Sequence, residues 1–274
     1  MLTLETALQN IPELDQATKP VALTGGLSNR SWQIEIGGIA HVLRLSHEKN
    51  IAPRDFSREI RIHKSAHKLG LAPAIYYADE KREILVTEKA SGVSLRASDL
   101  RQEAVVEEIA RLLRRVHDLP PTNEPLDLAS HAEHYARAIT PRLDNAAGEV
   151  VSTLIEWLDR LAAAQTSLCH NDPVAENFIR GGPLVLIDWE FAADNDPMFD
   201  LAVISAHHEL PDSARWRLLD HYGIGADNTE MTRLDGWETV YRCINWLWLA
   251  AMPGDEAPVN EALARLLQST RKTR

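Results

Sequence analysis

A polar segment enclosed by two short apolar runs, residues 167–191, constrains the fold most strongly. It has the sequence SLCHNDPVAENFIRGGPLVLIDWEF and lies in a part of the chain that is otherwise helical in pattern. The pair Gly181-Gly182 predicts a tight hairpin turn between the polar loop and the second apolar run. Polar loops held by a rigid scaffold commonly carry function, so this hairpin indicates an enzyme rather than a plain helical bundle.

The organisation of the chain changes near residue 90. Before it, short apolar runs separated by glycines and polar turns predict strands, and Asp55 and Gly70 bracket one helix. After it, apolar spacing predicts helices over 100–118, 130–140, 147–164, 198–209, 212–222, 230–251 and 257–270. The predicted strands are 21–24, 31–36, 40–45, 74–78 and 83–88. We therefore predict an α+β, two-lobed fold: a small antiparallel-sheet lobe with one main helix (1–88), a hinge (89–93) and a larger, mostly helical lobe (94–274).

Charge and cysteine content narrow the class of protein. The chain has 274 residues, 29 Lys and Arg against 40 Asp and Glu, and a formal net charge of -11. This balance argues against nucleic-acid binding as the main role and fits a cationic substrate. Only two cysteines occur, and we see neither a secretory signal nor an apolar run of membrane-spanning length. We expect a cytoplasmic protein with no membrane span and no nucleic-acid partner.

The strongest chemical pattern is His170-x-Asp172-x-x-x-x-Asn177 followed by Asp188. Phosphoryl transfer to a hydroxyl needs a carboxylate that receives the proton, ligands for Mg²⁺ and positive charge near the phosphates. Asp172 could serve as the base, while Asn177 and Asp188 supply the hard oxygen ligands that Mg²⁺ prefers. A purely structural interpretation makes the two aspartates turn and cap residues, but the full spacing is more specific than either pair.

This segment resembles the catalytic loop and metal-binding segment of the aminoglycoside phosphotransferase and choline kinase superfamily, and the similarity extends over most of the chain. The resemblance implies a protein-kinase-like fold with ATP and Mg²⁺ as cofactors. It implies that Asp172 is the catalytic base and that Asn177 and Asp188 hold the metal. His170 and Asp200 are expected to support the loop.

The resemblance also assigns the nucleotide site in the first lobe. Residues 23–30 lie where the family has its phosphate loop, which points to Gly25, Gly26, Ser28 and Asn29 as ATP contacts. Arg44 occupies the place of the phosphate-pairing lysine, as in choline and thiamine kinases, with Glu59 as its expected partner. The hinge residues Glu88 and Ala90 are expected beside the adenine. A surface role is the alternative interpretation for Arg44 and Glu59.

The acceptor is less well defined. The stretch from Asp188 to Ala202 is similar to choline and ethanolamine kinases, and Glu190 is a candidate substrate or metal contact. Trp246 and Trp248 could hold a cationic group through cation–π attraction, or could be ordinary helix-packing residues. We expect a small cationic metabolite with a hydroxyl, first choline or ethanolamine. Thiamine, an aminoglycoside or an amino sugar, and a non-catalytic pseudokinase remain alternatives.

Overall fold

The computed structural model describes residues 3–23, 29–46, 51, 53–139, 144–161, 166–225, 227–252 and 256–272. The chain divides into two compact units. Unit 1 comprises residues 1–50, 54–93 and 179–190, and unit 2 comprises residues 51–53, 94–178 and 191–274.

Unit 1 is built on a five-stranded antiparallel sheet with the strand order β1-β2-β3-β5-β4. An N-terminal helix, α1 (Leu4–Asn10), packs on one face of the sheet, and α2 (Phe56–Lys68) packs on the other. The strands are β1 (Thr18–Leu23), β2 (Asn29–Ile36), β3 (Ile39–Ser46), β4 (Ile75–Asp79) and β5 (Ile84–Glu88). All five predicted strands and the helix bracketed by Asp55 are therefore present.

Strand alternation decides which side chains meet α2. Leu43 and Leu45 of β3 join the core under α1, so Arg44 between them points to the opposite face. Leu85, which is opposite Arg44 in the β3–β5 register, packs with Phe56 and Ile60 of α2. The arginine is consequently directed at the helix that carries Glu59.

A second, three-stranded sheet has the order β6-β8-β9 and contains the predicted hairpin. Its strands are β6 (Val93–Ser94), β8 (Phe178–Arg180) and β9 (Val185–Leu186). The turn begins with Gly181, whose Cα lies close to the backbone at Gly92. A Cβ on Gly181 would lie 2.2 Å from the Ser91 carbonyl oxygen, and one on Gly92 would lie 2.3 Å from the Arg180 carbonyl oxygen. Only glycine fits where the two backbones approach so closely.

Unit 2 is mostly helical and includes a short two-stranded antiparallel sheet, β7 (Ser167–Cys169) with β10 (Ala193–Asn195). None of the helices that the structure describes is long and apolar enough to cross a membrane. The helices are α3 (Glu103–His117), α4 (Leu128–Ala138), α5 (Asp144–Arg160), α6 (Pro197–His207), α7 (Asp212–Tyr222), α8 (Asn228–Ala251) and α9 (Glu256–Lys272).

Two details differ from the sequence-based expectation. Residues 179–190 group with unit 1, whereas the sequence placed them in the second lobe with the rest of 94–274. The reason is a long-range contact: the Leu186 amide donates to the Leu71 carbonyl oxygen at 2.8 Å, which ties β9 to unit 1. The short elements α1, β6 and β10 (Ala193–Asn195) were not predicted, because α1 has only seven residues, β6 two and β10 three.

The close approach at Gly181 gives a test of the fold. We expect Gly181→Ala to lower the free energy of unfolding by about 1–3 kcal/mol, because its methyl group would overlap backbone atoms that cannot move aside. Gly182→Ala is the matched control, since a Cβ there meets nothing within 4 Å, and it should change stability by less than about 0.5 kcal/mol. Urea denaturation of the two variants measures both values, and equal effects would contradict the steric explanation.

Candidate active site

The loop that follows β7 in unit 2 is held by one buried carboxylate. Asp200, in the first turn of α6, is fully buried. Its two oxygens accept hydrogen bonds from the backbone amides of His170 at 2.9 Å and Asn171 at 2.7 Å. His117 of α3 makes a third contact, with Nε2 at 2.9 Å from the carboxylate. The imidazole of His117 is fixed in turn by the Tyr222 hydroxyl, 2.7 Å from Nδ1.

Asn171 fixes the course of the loop just before Asp172. Its φ of 66° lies in the left-handed region, which asparagine tolerates better than most residues. Its side-chain amide donates to the carbonyl oxygens of Phe191 at 3.0 Å and Ala193 at 3.2 Å. Its side-chain oxygen accepts a hydrogen bond from Asn195 at 2.9 Å. The loop is thereby tied to β10 as well as to α6.

Asp172 and Asn177 are brought together by the loop itself. The Asn177 side-chain amide donates to the Asp172 carbonyl oxygen at 2.9 Å and to its carboxylate at 3.3 Å. The Asp172 side chain is half-buried, and its backbone amide donates to His170 Nδ1 at 3.3 Å. Since the Asn177 nitrogen is used in this way, its Oδ1 is the atom that remains to act as a metal ligand.

His208 contacts the C-terminal side of the loop. The amide of Ala175, which begins a single-turn 3₁₀ helix (Ala175–Asn177), donates to Nε2 of His208 at 2.9 Å. Burial, together with a smaller effect of the neighbouring His207, lowers the pKa of His208 to about 4. A neutral imidazole has one unprotonated nitrogen, so His208 can accept this hydrogen bond at neutral pH.

In unit 1, Arg44 joins two carboxylates. Its Nη2 lies 2.5 Å from Glu59 and its Nη1 lies 2.8 Å from Asp188. Burial alone would lower the pKa of Arg44, but the charges of Glu59, Asp188 and Glu190 outweigh burial and raise it. Asp188 has a φ of 64°, so the backbone there is not extended, and its side chain remains 35% exposed. The exposed fraction leaves a carboxylate oxygen accessible to a ligand.

Glu190 belongs to a second cluster in the same unit. It is 3% exposed and accepts a hydrogen bond from the Asn29 side-chain amide at 2.8 Å. Arg54 lies 3.5 Å from Glu190, donates to the Asn29 oxygen at 3.1 Å and pairs with Glu83 at 2.5 Å. Burial and the nearby Asp188 raise the pKa of Glu190. Asp188 is thus paired with Arg44, while Glu190 lies 3.5 Å from Arg54 and also interacts with the charge of Arg44.

The remaining predicted ATP contacts are placed as follows. Gly25, Gly26 and Ser28 lie outside the described residues, whereas Asn29 begins β2 and contacts Glu190. Glu88 ends β5 with an exposed side chain, and its backbone amide donates to the Ala74 carbonyl oxygen at 2.9 Å. Ala90 is half-buried.

The two tryptophans considered for the acceptor have different surroundings on α8. Trp246 is 0% exposed and packs in the core, so a role in substrate binding would require the helix packing around it to rearrange. Trp248 is half-buried and is the more accessible of the two.

Sequence reasoning missed three contributors to the site: Arg54 in unit 1, and Asn171 and His208 in unit 2. Arg54 and His208 lie in no recognisable spacing with the residues that they contact, and nothing local in the sequence singles them out. Asn171 lies between two residues of the motif. It turns the loop by adopting a left-handed backbone conformation, which an asparagine allows but does not require.

Comparisons with known proteins identify the family and the fold of the chain. The model of the phosphotransferase enzyme family matches residues 20–237, and the chain belongs to that family. The LicA protein of Haemophilus influenzae is 24% identical over 222 residues, which cover 76% of this chain and 64% of LicA. The chain therefore spans about 64% of the length of that curated relative.

Two solved structures show the same fold. The choline kinase LicA from Streptococcus pneumoniae superposes with a TM-score of 0.83 at 21% identity, over 98% of this chain and 98% of the other. A thermostable mutant of the aminoglycoside phosphotransferase APH(4)-Ia, in a ternary complex with AMP-PNP and hygromycin B, gives a TM-score of 0.72 at 14% identity, over 97% of each chain. These findings confirm the predicted α+β kinase-like fold and the resemblance to this superfamily.

The buried carboxylate at the loop gives a stability test. We expect Asp200→Asn to lower the free energy of unfolding by about 3 kcal/mol, because an amide nitrogen would replace one of the two oxygens that accept the backbone N–H groups of His170 and Asn171. Asp118→Asn is a control on the surface, where the carboxylate is exposed and 3.6 Å from Arg114, and should cost less than about 0.5 kcal/mol. Chemical denaturation measures both, and a loss below about 1 kcal/mol for Asp200→Asn would contradict the role of Asp200.

Acid should weaken unit 1 through His63 of α2. Burial lowers the pKa of this imidazole to about 4, below its unfolded value of 6.5, while its Nε2 lies 2.8 Å from the Pro73 carbonyl oxygen. A depressed histidine pKa means that the unfolded state binds the proton first, so stability is lost as the pH falls from 6.5 towards 4, by about 3 kcal/mol at most.

Unfolding free energies between pH 7 and pH 4 test this prediction. His63→Gln keeps a donor for Pro73 but cannot titrate, so its stability should fall less steeply than that of the wild type. Lys64→Gln changes an exposed residue of the same helix and should follow the wild-type profile. Parallel profiles for all three proteins would show that His63 is not responsible.

Proposed function

We propose that this protein is an ATP- and Mg²⁺-dependent kinase that phosphorylates the hydroxyl group of a small cationic metabolite of the choline or ethanolamine type. The proposal rests on the structure of the loop around Asp172. It holds a half-buried carboxylate beside a metal-ligand candidate and is anchored at both ends, as a proton acceptor for a substrate hydroxyl requires. Family membership and the fold shared with choline kinase LicA support this proposal.

The donor groups fit a magnesium ion. Asn177 offers its side-chain oxygen, and Asp188 offers a carboxylate that is 35% exposed. Both are hard oxygen ligands, which Mg²⁺ takes in preference to nitrogen or sulfur. We propose that these two residues hold the metal. When bound, Mg²⁺ neutralises charge that develops on the transferred phosphoryl group.

Several residues of unit 1 are proposed to bind ATP. Arg44 carries a permanent charge in a planar fork, and Glu59 holds one edge of that fork, which aligns the other edge for an anionic partner. Asp188 lies at the second edge, 2.8 Å from Nη1. We propose that Gly25, Gly26, Ser28 and Asn29 contact the phosphates of ATP. Glu88 and Ala90 would contact the adenine through their backbone atoms.

Asp172 is the proposed catalytic residue. Its carboxylate would accept the proton of the substrate hydroxyl and orient the attacking oxygen, while Asn177 restrains the carboxylate through the 3.3 Å hydrogen bond. The main contributions of the protein would then be positioning and charge stabilisation.

For the acceptor, the acidic net charge of -11 and the half-buried Trp248 favour a cation. We propose Glu190 as a contact of the substrate or of the metal. Thiamine remains the alternative acceptor. We also propose a cytoplasmic location, with which two free, buried cysteines are consistent.

The test is ADP formation by the purified protein with ATP, Mg²⁺ and a panel of choline, ethanolamine, thiamine, an aminoglycoside and several amino sugars. We expect turnover with choline or ethanolamine. Asp172→Asn should lower kcat by about 10²–10⁴-fold, because the proton acceptor is lost, while ATP affinity measured by calorimetry stays within about threefold. Asp220→Asn, an exposed acid of α7, serves as the control and should leave kcat unchanged.

Two results would contradict parts of this proposal. Unchanged turnover in Asp172→Asn would remove Asp172 from the role of base. ATP binding without turnover of any acceptor on the panel would reject the proposed acceptor class and favour a non-catalytic nucleotide-binding protein. Strong turnover of thiamine alone would replace choline and ethanolamine by the alternative.

A further inference from the structure

Helix α6 contacts the catalytic loop at two places. At the start of the helix, Asp200 accepts the amides of His170 and Asn171, which precede Asp172. At its end, His208 accepts the amide of Ala175, which follows Asp172. Asp172 therefore lies on a loop whose two sides are attached to one helix.

The contact with His208 supplies an acceptor that the loop does not provide for itself. Ala175 is the first residue of a 3₁₀ turn, where a backbone amide has no carbonyl partner within the turn. The Ala175 side chain is fully buried, and the His208 side chain is only 4% exposed, so water is a poor substitute for the imidazole. The same short turn ends at Asn177, and the Asn177 amide donates to the Val174 carbonyl oxygen at 3.0 Å. Loss of the His208 contact would free the turn that orients the side chain of Asn177.

We propose that His208 is a positioning residue for phosphoryl transfer: by accepting the Ala175 amide, it fixes the 3₁₀ turn that presents Asn177 to the metal and to Asp172. This inference rests on the proposed function, since it assigns the consequence of the contact to metal binding and catalysis.

Three variants of the full chain separate an acceptor role from simple packing. His208→Leu fills the site but cannot accept a hydrogen bond. His208→Gln carries an oxygen that can reach the place of Nε2 and accept from Ala175. Glu209→Gln is the control at the same end of α6, because Glu209 is exposed and pairs with Arg265 at 2.8 Å.

We expect His208→Leu to lower kcat at least tenfold, to raise the Mg²⁺ concentration for half-maximal activity several-fold and to leave the KM for ATP at saturating Mg²⁺ within threefold. Exchange of the Ala175 amide hydrogen should become at least tenfold faster. His208→Gln should restore each quantity to within about threefold of the wild type, and Glu209→Gln should match the wild type. If His208→Leu does not fold, His208→Asn replaces it, because its shorter side chain cannot reach the amide.

Faster exchange at Ala175 with unchanged kcat and Mg²⁺ dependence would overturn the proposal. So would a His208→Gln variant that is as impaired as His208→Leu while both remain folded. If the wild type phosphorylates no acceptor, the proposed function fails. Calorimetry of ATP binding then tests the positioning role of His208 without any turnover. Weaker ATP binding by His208→Leu in Mg²⁺ but not in EDTA would support it, and equal effects in both conditions would overturn it.

Discussion

The arrangement of unit 2 depends on the carboxylate of Asp200. A buried negative charge is costly unless donors surround it, and here two backbone amides and one imidazole do so. Its place in the first turn of α6 adds the favourable field of the helix N-terminus. The residues from Met198 to Ala206 are buried as well, so the helix is fixed on all sides. The loop that carries Asp172 is consequently attached to a helix that is itself buried.

Unit 1 contains a buried positive charge, which also needs partners of the opposite sign. Arg44 is buried on β3 and would be unfavourable there without partners, but Glu59 and Asp188 meet both edges of its guanidinium. Arg54 makes a comparable set of contacts with Glu190, Asn29 and Glu83. Asp188 lies 2.8 Å from Arg44 and Glu190 lies 3.5 Å from Arg54, and these positive charges offset the repulsion between the two acidic side chains.

The sequence was informative where one local pattern carried the structure. Alternation in β3 and the cap at Asp55 predict the sheet and α2, and with them the approach of Arg44 to Glu59. The loop spacing brings Asp172 and Asn177 together because only four residues separate them. The contacts of Arg54 and His208 could not be predicted, since each joins segments far apart in sequence by a side chain of unremarkable type.

The close approach of Gly92 and Gly181 affects how variants of this chain are interpreted. Both backbones are so near that any side chain is excluded, whatever its polarity or charge. A mutational survey would therefore find positions 92 and 181 as intolerant of substitution as positions 172 and 177. Intolerance of substitution alone would then suggest four catalytic positions. Two of these four are intolerant for reasons of space alone, and only a separate measurement of folded protein distinguishes them from the pair that we assign to the chemistry.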